Sequence, residues 1–479
     1  MTDHDLSAAL RAFQARYPAY ASTRAIDELR ARDYARIDAH GHVYLDYTGG
    51  GLYAESQLQA HHDLLSTHLL GNPHSHNPTS LAATELVDEA RDAVRRFFNA
   101  EESEYEVIFT LNASHALRLV GEAYPFEPGG CYLLSYDNHN SVNGVREFAR
   151  RAGAEIVYVP VRTPDLRLDE RLVERALRRE TACEHKLFAY PAQSNFSGVQ
   201  HPLRWIDTAH ENGWDVLLDS AAFVPTNRLD LSAVHPDFVP VSFYKMFGYP
   251  TGVGALIARR EALAKLQRPW FAGGTITLAS VQGDGGWYRL APGSAGFEDG
   301  TVDYLGLPAV TVGLRHLERV GVDTVHERVS ALAGWLLGEL TALRHTNGAP
   351  MVRIFGPETM EGRGATIAFY LLDPGGAVYD VFRIERMAGE RDMSVRTGCF
   401  CNPGDGEVAH GITPEEMASC FAEPDVPVTF DQCTRLIQDS TGKVPNTIRV
   451  SLGLVSNFED VWRFVRFAES FRDIFAEDI

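Results

Sequence analysis

The chain has 479 residues, of which 45% are hydrophobic and 23% are charged, a composition typical of a globular protein with two or three domains. Its net charge of −20 repels phosphate backbones and argues against a nucleic-acid partner. No uninterrupted apolar run is long enough to span a membrane, and residues 1–20 lack the apolar core of a signal peptide, so we expect a cytoplasmic protein without a membrane partner.

Residues 1–20 mix leucine and alanine with charged side chains and predict an amphipathic helix. From about Tyr44 to Leu256, short apolar runs alternate with helical patterns, which indicates a mostly parallel sheet covered by helices. Segments 141–152 and 169–179 have the spacing of surface helices. The seven predicted strands are 106–110, 131–135, 155–159, 186–190, 215–218, 238–241 and 254–258.

A long helical region follows Thr301 and runs to about His345. Two further strands are predicted at 365–370 and 447–451. We expect an α/β fold in which residues 36–310 form a large domain around the seven-stranded sheet. Residues 1–35 and 311–479 would form a smaller α+β domain, joined to the first by a long helix.

Two polar residues follow predicted strands at the edge where ligands of open parallel sheets bind. Asp219 comes directly after an apolar strand, and Lys245 ends the next one. Pyridoxal phosphate needs a lysine for its Schiff base and an acid against its pyridinium nitrogen. Taken singly, the acid is more often a helix cap and the lysine more often solvated. Together they predict a pyridoxal phosphate site.

A phosphate-binding position is predicted where strand 106–110 leads through Asn112, Ala113 and Ser114 into a helical pattern. Helix N-termini bind phosphate through free backbone N–H groups and the helix dipole. The Ser114 hydroxyl, with help from Ser242, would add donors, although Ser114 also suits a simple helix cap. His139 follows the next strand, where it can stack on the cofactor ring and move protons.

Several segments resemble the N-terminal cysteine desulfurase domain of molybdenum cofactor sulfurases, a class V pyridoxal phosphate enzyme of fold type I. The similarity extends from about Tyr44 to Phe467. The segments that carry it are 71–75, 219–224, 242–248, 297–301, 396–404 and 449–453.

The resemblance implies a role for each matching residue of the cofactor site. Lys245 would be the Schiff-base lysine, with Asp219 at the ring nitrogen and His139 stacked on the ring. Thr301 would reach the phosphate of a neighbouring subunit, which implies a homodimer. The remaining cofactor contacts implied are Asn195 at the ring hydroxyl and Ala113, Ser114 and Ser242 at the phosphate.

The resemblance also implies a substrate site for an amino acid, L-cysteine or a relative of it. Arg449 would hold the substrate carboxylate, a task that its planar fork of donors suits. His74 and Arg396 lie in the matching segments and are predicted to be close to the substrate.

Two of the six cysteines, Cys399 and Cys401, are separated by one residue. The resemblance makes Cys401 the nucleophile, carried on a mobile loop at 402–406, with Arg396 lowering its thiol pKa. Zinc is the competing interpretation, but this spacing is tighter than usual for zinc ligands and no second Cys/His pair follows, so we expect no metal. Six cysteines in a chain of this length do not suggest a disulfide scaffold. For the other four, a place in the core as small apolar residues is an equally good interpretation; they are Cys131, Cys183, Cys420 and Cys433.

The implied reaction takes sulfur from L-cysteine as a Cys401 persulfide and releases L-alanine, with a protein or a small molecule as the sulfur acceptor.

The chain departs from the family at Asn112-Ala113-Ser114, where a Gly-Ser-Thr-like run is usual, and at Gly406, where another cysteine is common. It also stops without the domain that binds the molybdenum cofactor, which leaves the acceptor open. Two alternatives stay open. One is another class V reaction, such as C–S lysis, amino transfer or a specialised biosynthetic step, that does not need Cys401. The other is a non-catalytic sulfur carrier, against which Lys245 and Asp219 argue.

Overall fold

Two sheets, formed by different parts of the sequence, organise the chain. The computed structural model describes residues 3–180, 184–283, 286–422 and 428–479. The α-helices are α1 Asp3–Arg16, α2 Ala25–Asp33, α3 Ala35–Ala39, α4 Glu55–Thr67, α5 Pro78–Phe97, α6 Ala113–Ala123, α7 Asn140–Asn143, α8 Arg146–Arg151, α9 Glu170–Leu177, α10 Trp205–Glu211, α11 Phe243–Phe247, α12 Arg260–Leu263, α13 Leu307–Val320, α14 Val322–Ala342, α15 Val381–Gly389, α16 Pro403–His410, α17 Pro414–Ala418, α18 Phe430–Thr441 and α19 Phe458–Glu469. The strands are β1 Val43–Tyr44, β2 Tyr105–Thr110, β3 Cys131–Ser135, β4 Glu155–Val159, β5 Val161–Arg162, β6 Arg167–Leu168, β7 Lys186–Pro191, β8 Asp215–Asp219, β9 Phe238–Ser242, β10 Gly254–Arg259, β11 Ile276–Ser280, β12 Trp287–Leu290, β13 Val352–Phe355, β14 Thr366–Leu371, β15 Met393–Ser394, β16 Arg396–Gly398 and β17 Thr447–Ser451.

The larger sheet has seven strands in the order β2-β10-β9-β8-β7-β3-β4. Strand β10 runs antiparallel to both of its neighbours and the other pairs are parallel, so the predicted mostly parallel α/β sheet is confirmed. Every residue of β3, β8 and β9 is buried, because helices cover both faces of the sheet. The carboxyl ends of the parallel strands therefore meet at one edge, where the candidate site lies.

The smaller sheet is antiparallel, with four strands in the order β13-β14-β17-β16. Its strands β14 and β17 agree with the predicted segments to within a residue. It carries Arg396 on β16 and Arg449 on β17, two residues that the sequence associated with the substrate. The division into domains at residues 36 and 310 stays a prediction.

The predicted long helix after Thr301 is wrong in one respect, because it is two helices. Helix α13 ends and α14 begins at Gly321, whose φ of +85° is a conformation that glycine adopts at little cost. The predicted surface helix at 141–152 is likewise two short helices, α7 and α8. Near the N-terminus, α1 packs through Phe13, whose ring stacks on that of Phe458 at 4.7 Å.

The cysteines outside the 399–401 pair behave in two ways. Cys131 is buried and free, as expected of a small apolar residue. Cys420 and Cys433, however, form a disulfide, which corrects the expectation of unlinked thiols. The bond joins Cys420, in a 3₁₀ turn just after α17, to Cys433 in α18. Few side chains of these two segments are buried. Cys183 lies outside the described residues.

Within the described residues, neither a membrane-spanning helix nor a metal-binding cluster is present. None of the helices formed by these residues combines the length and apolar character needed to cross a bilayer. Nor do their His, Cys, Asp and Glu side chains gather in a group of three or more that could hold a metal ion.

Candidate active site

A cavity of about 370 Å³ lies at the carboxyl edge of the seven-stranded sheet. Three strands deliver side chains to it from their last residues: Pro191 of β7, Asp219 of β8 and Ser242 of β9. The predicted cofactor residues that line this cavity together are Ala113, Ser114, His139, Asn195, Asp219, Ser242 and Lys245.

Lys245 reaches the cavity from α11, the single helical turn that follows β9. Gly248 ends this turn with a φ of +80°, and a Cβ there would lie 2.4 Å from backbone atoms of Leu52 and Tyr53, so only glycine allows the turn to pack. Burial lowers the pKa of Lys245, and Asp219 is the largest opposing influence. The result is a buried amine that gives up its proton more readily than a free lysine.

Asp219 faces the same cavity at the end of β8 and is only 8% exposed. Its Oδ1 accepts a hydrogen bond of 3.0 Å from the backbone N–H of Ala221, which fixes the carboxylate. The cavity therefore holds a primary amine and an acid together, as the sequence predicted for Lys245 and Asp219.

The start of α6 forms another wall of the cavity. The Asn112 side chain caps this helix by accepting from the backbone N–H of His115 at 2.9 Å. The backbone N–H of Ala113 donates to Ser242 Oγ at 3.3 Å, and Ser114 Oγ lies 2.6 Å from Ser141 Oγ. Backbone N–H groups and three hydroxyls thus gather at a helix N-terminus, an arrangement that favours an anion.

His139 lines the cavity at the start of α7, where its Nδ1 accepts from the backbone N–H of Ser141 at 3.1 Å. Burial lowers the pKa of His139, with Asp219 opposing the shift. The imidazole is therefore neutral near pH 7 and presents a flat ring to the cavity.

Arg449 is a buried guanidinium between the two sheets, 3% exposed. It donates to the backbone carbonyl of Asn195 at 2.9 Å and to Asp46 Oδ1 at 3.0 Å, while its Nε has no partner among the described residues. The ring of Phe400 lies 4.5 Å from its guanidinium carbon. Burial lowers the pKa of Arg449 and Asp46 opposes this. The Arg449 guanidinium group is therefore held in place by two hydrogen bonds, while its Nε–H donor is not used among the described residues.

Arg396 lies on the other side of Asp46, to which its Nε donates at 3.0 Å. Among the smaller influences on the pKa of Lys245 and of Arg449, the Cys401 side chain opposes part of the lowering that burial causes. The predicted influence of Arg396 on the thiol stays a prediction.

The cysteine loop places its two thiols in different surroundings. Cys401 is exposed, whereas Cys399 is partly buried and burial raises its pKa. Phe400 and Cys401 both adopt left-handed backbone conformations, with φ of +56° and +55°, which are unusual outside glycine. Asn195 Nδ2 donates to the Phe400 carbonyl at 2.7 Å, and the backbone N–H of Asn140 donates to that of Cys401 at 2.7 Å. The Cys401 thiol is thus exposed, but the mobile loop predicted at 402–406 is wrong, because residues 403–406 form the first turn of α16.

His74 and Thr301 do not line this cavity in the single chain. Both side chains are exposed, and Asn72 Nδ2 donates to Thr301 Oγ1 at 3.3 Å. They border smaller cavities of their own, so their predicted roles would need a second subunit. That placement stays a prediction.

Sequence reasoning missed some residues at the site. Gln193 and Tyr244 line the cavity and adjoin residues that were singled out. Asp46 accepts hydrogen bonds from Arg396 and Arg449. It follows the short apolar strand β1, and this pattern, which singled out Asp219, could have identified Asp46 as well.

The comparisons with known proteins agree with this geometry. Residues 43–464 match the family model described as aminotransferase class-V. Molybdenum cofactor sulfurases of Solanum lycopersicum and Bos taurus are 34% and 36% identical, over 96% and 92% of this chain and 59% and 51% of their own lengths. The chain thus spans between half and three fifths of these relatives.

A solved structure shows the same fold. An apo cysteine desulfurase from Thermococcus onnurineus NA1 matches with a TM-score of 0.74 at 22% identity, covering 93% of this chain and 97% of that one. The fold, the cavity at the sheet edge and the family match over residues 43–464 lead to one assignment. The chain belongs to the class V aminotransferase family.

Proposed function

We propose that the protein is a pyridoxal phosphate-dependent cysteine desulfurase. L-cysteine and the Cys401 thiol would give L-alanine and a Cys401 persulfide, so that the carbon–sulfur bond of the substrate breaks and a sulfur–sulfur bond forms. The observation that carries this proposal is that the wall of the cavity that holds Lys245 and Asp219 also holds the cysteine loop: Asn195 Nδ2 donates to the Phe400 carbonyl at 2.7 Å, and the backbone N–H of Asn140 donates to the Cys401 carbonyl at 2.7 Å. The amine that would bear the cofactor and the thiol that would accept sulfur therefore belong to one site.

The residues present fit pyridoxal phosphate. Lys245 offers the amine, Asp219 the acid for the ring nitrogen, and the start of α6 with Ser114 and Ser242 the phosphate seat. The cavity volume of about 370 Å³ falls in the usual range for small-molecule sites. When bound, the cofactor supplies an electron-accepting ring that makes the α-hydrogen of an amino acid acidic.

The chain's own residues would then divide the work. Arg449 binds the substrate carboxylate with its planar fork, and Asp46 keeps that fork in place. Because burial lowers the pKa of Lys245, its amine is more easily deprotonated than that of a free lysine, and it would take the proton from the α-carbon. Cys401 takes the sulfur, and its exposed position lets an acceptor protein or small molecule collect it.

We also infer that the enzyme is a homodimer. The antiparallel hairpin of β11 and β12 exposes apolar side chains, with Leu278 and Trp287 each 66% exposed. A partner subunit that covered this surface would remove a large apolar patch from water. It would also give Thr301 a phosphate to contact, as the family resemblance implies.

The experiment that tests the function measures alanine formed from L-cysteine by the parent protein, Cys401→Ala and the matched control Cys399→Ala. We expect the parent and Cys399→Ala to form alanine and a protein persulfide, and Cys401→Ala to form little of either, because the nucleophilic thiol is gone. Undiminished alanine production by Cys401→Ala would refute the proposal. It would favour a class V reaction that needs no protein persulfide, such as C–S lysis.

A further inference from the structure

Behind the cysteine loop lies a buried carboxyl that the proposed chemistry does not use. Asp405 is in the first turn of α16, four residues after Cys401, and has no exposed surface. Its Oδ2 accepts from Ser194 Oγ at 2.6 Å, with Ser197 Oγ at 3.4 Å. Its Oδ1 has no hydrogen-bond partner among the described residues.

The surroundings of this carboxyl do not neutralise a charge. Among the residues that the structure describes, no lysine, arginine or histidine forms an ion pair with Asp405. The charged group with the largest effect on the pKa of Asp405 is Asp137, itself fully buried, whose Oδ2 is hydrogen-bonded to His201 Nε2. Burial, and then Asp137, raise the pKa of Asp405 well above its ordinary range. A buried, unpaired charge is costly, so the protonated, neutral form of Asp405 is favoured.

The two backbones that carry these carboxyls are in direct contact. A Cβ on Gly404 would lie 2.1 Å from the carbonyl oxygen of Tyr136, so α16 approaches the end of β3 as closely as glycine allows. Asn402 Nδ2 bridges them further by donating to the Asp137 carbonyl at 2.9 Å. The start of α16 is thus pressed against the sheet edge.

The turn at Ser194 and Asn195 holds the cysteine loop on both sides of Cys401. Ser194 binds Asp405 after the cysteine, and the adjacent Asn195 binds the Phe400 carbonyl before it. The Asn195 carbonyl also accepts from Arg449. Any shift of Asp405 relative to Ser194 would therefore disturb the thiol and the carboxylate-binding arginine together.

We propose that Asp405 is a positioning residue for Cys401: its carboxyl group accepts the hydrogen bond from the Ser194 hydroxyl, which holds α16 at that turn and so keeps the cysteine loop docked beside the substrate. The proposal rests on the proposed function for its effect on turnover. Its effect on the loop itself is independent of that function.

The test compares Asp405→Ala with Asp405→Asn, and with Asp439→Ala on exposed α18 as a matched control. Two quantities are measured: alanine formation from L-cysteine, and the rate at which iodoacetamide alkylates Cys401, followed by mass spectrometry. We expect Asp405→Ala to lose at least about tenfold in turnover, because a small displacement of a reacting group is costly, and to be alkylated several-fold faster. Asp405→Asn, which is neutral and of the same shape, should retain most of the turnover and the slow alkylation.

Two outcomes would overturn the proposal. If Asp405→Asn were as impaired as Asp405→Ala, an ionised carboxylate would be required instead of a neutral acid. If Asp405→Ala behaved like the parent in both measurements, the residue would not position the loop. Should Asp405→Ala fail to fold, Ser194→Ala removes the same hydrogen bond from the other side, and unchanged behaviour there would also refute the idea.

The alkylation measurement separates this proposal from the proposed function. A parent protein that forms no alanine from L-cysteine would refute the desulfurase function. The alkylation rates of the same variants would still decide whether Asp405 holds the loop.

Discussion

Lys245 is the residue on which the proposed cofactor binding depends. We expect Lys245→Ala to show no visible absorbance from bound cofactor after incubation with pyridoxal phosphate, because no other amine lines the cavity among the described residues. The absorption spectrum of the dialysed protein is the measurement. Lys265→Ala, which removes a lysine paired with Asp215 elsewhere, is the control and should keep the absorbance. A coloured Lys245→Ala protein would show that another lysine was responsible.

Some site residues could be predicted from the sequence and others could not, for a physical reason. Asp219 ends an apolar strand and Lys245 lies in the helical turn that follows another one, and the edge rule for parallel sheets places such residues together without any knowledge of distant contacts. Asp46 acquires its role only by meeting Arg449, 403 positions along the chain. Asp405 likewise meets Ser194 across 211 positions. Local patterns carry no information on such pairings.

At the scale of the secondary-structure element, the start of α6 is the proposed phosphate seat. We expect Ser114→Ala to weaken pyridoxal phosphate binding by about tenfold or more, since a hydrogen bond to a charged group contributes roughly 1.5–3 kcal/mol. Binding is measured by absorbance titration of the apoprotein. Pyridoxal, which lacks the phosphate, is the control ligand, and its weaker affinity should be the same for both proteins. An equal loss for the two ligands would place the phosphate elsewhere.

Two helices carry histidines whose pKa values fall to about 4 through burial: His316 on α13, which is 2% exposed, and the partly buried His410 on α16. The unfolded chain binds a proton at about 6.5, so between pH 6.5 and 4 it holds more protons than the native state and unfolding becomes easier as pH falls. We expect each histidine to cost about 2 kcal/mol of stability at pH 5 and almost nothing above about pH 7. Urea unfolding of the parent and of His410→Gln at about pH 7 and pH 5 measures this. A pH dependence identical in the two proteins would contradict the prediction.

Element boundaries were predictable where burial alone decides them. The strands of the large sheet agree with the predicted segments to within a residue, because most of each run is apolar and the inner strands are covered on both faces. The break at Gly321 between α13 and α14 was missed, since one glycine inside a helical pattern is compatible with continuation. The bond between Cys420 and Cys433 was missed because spacing alone does not determine pairing.

At the scale of the whole molecule, the exposed hairpin of β11 and β12 is the surface on which the dimer is proposed. We expect the parent protein to sediment with twice the mass of the chain, and Trp287→Glu to shift it toward the monomer, because a buried charge opposes association. Analytical ultracentrifugation is the measurement. Leu436→Glu on α18 places the same change at another exposed apolar residue and is the control. A parent that sediments as a monomer would refute the dimer.

The strand order of the large sheet has a consequence for biosynthesis. Strand β2, which leads into the start of α6, is an edge strand that pairs with β10 among the strands the structure describes. A nascent chain on the ribosome that has not yet reached Arg259 therefore lacks the partner of β2, and Arg449 emerges much later still. Such late, long-range pairing slows folding and leaves strand edges exposed for longer. The proposed pyridoxal phosphate site could thus form only after β10 has been translated, and the substrate site only in a nearly finished polypeptide.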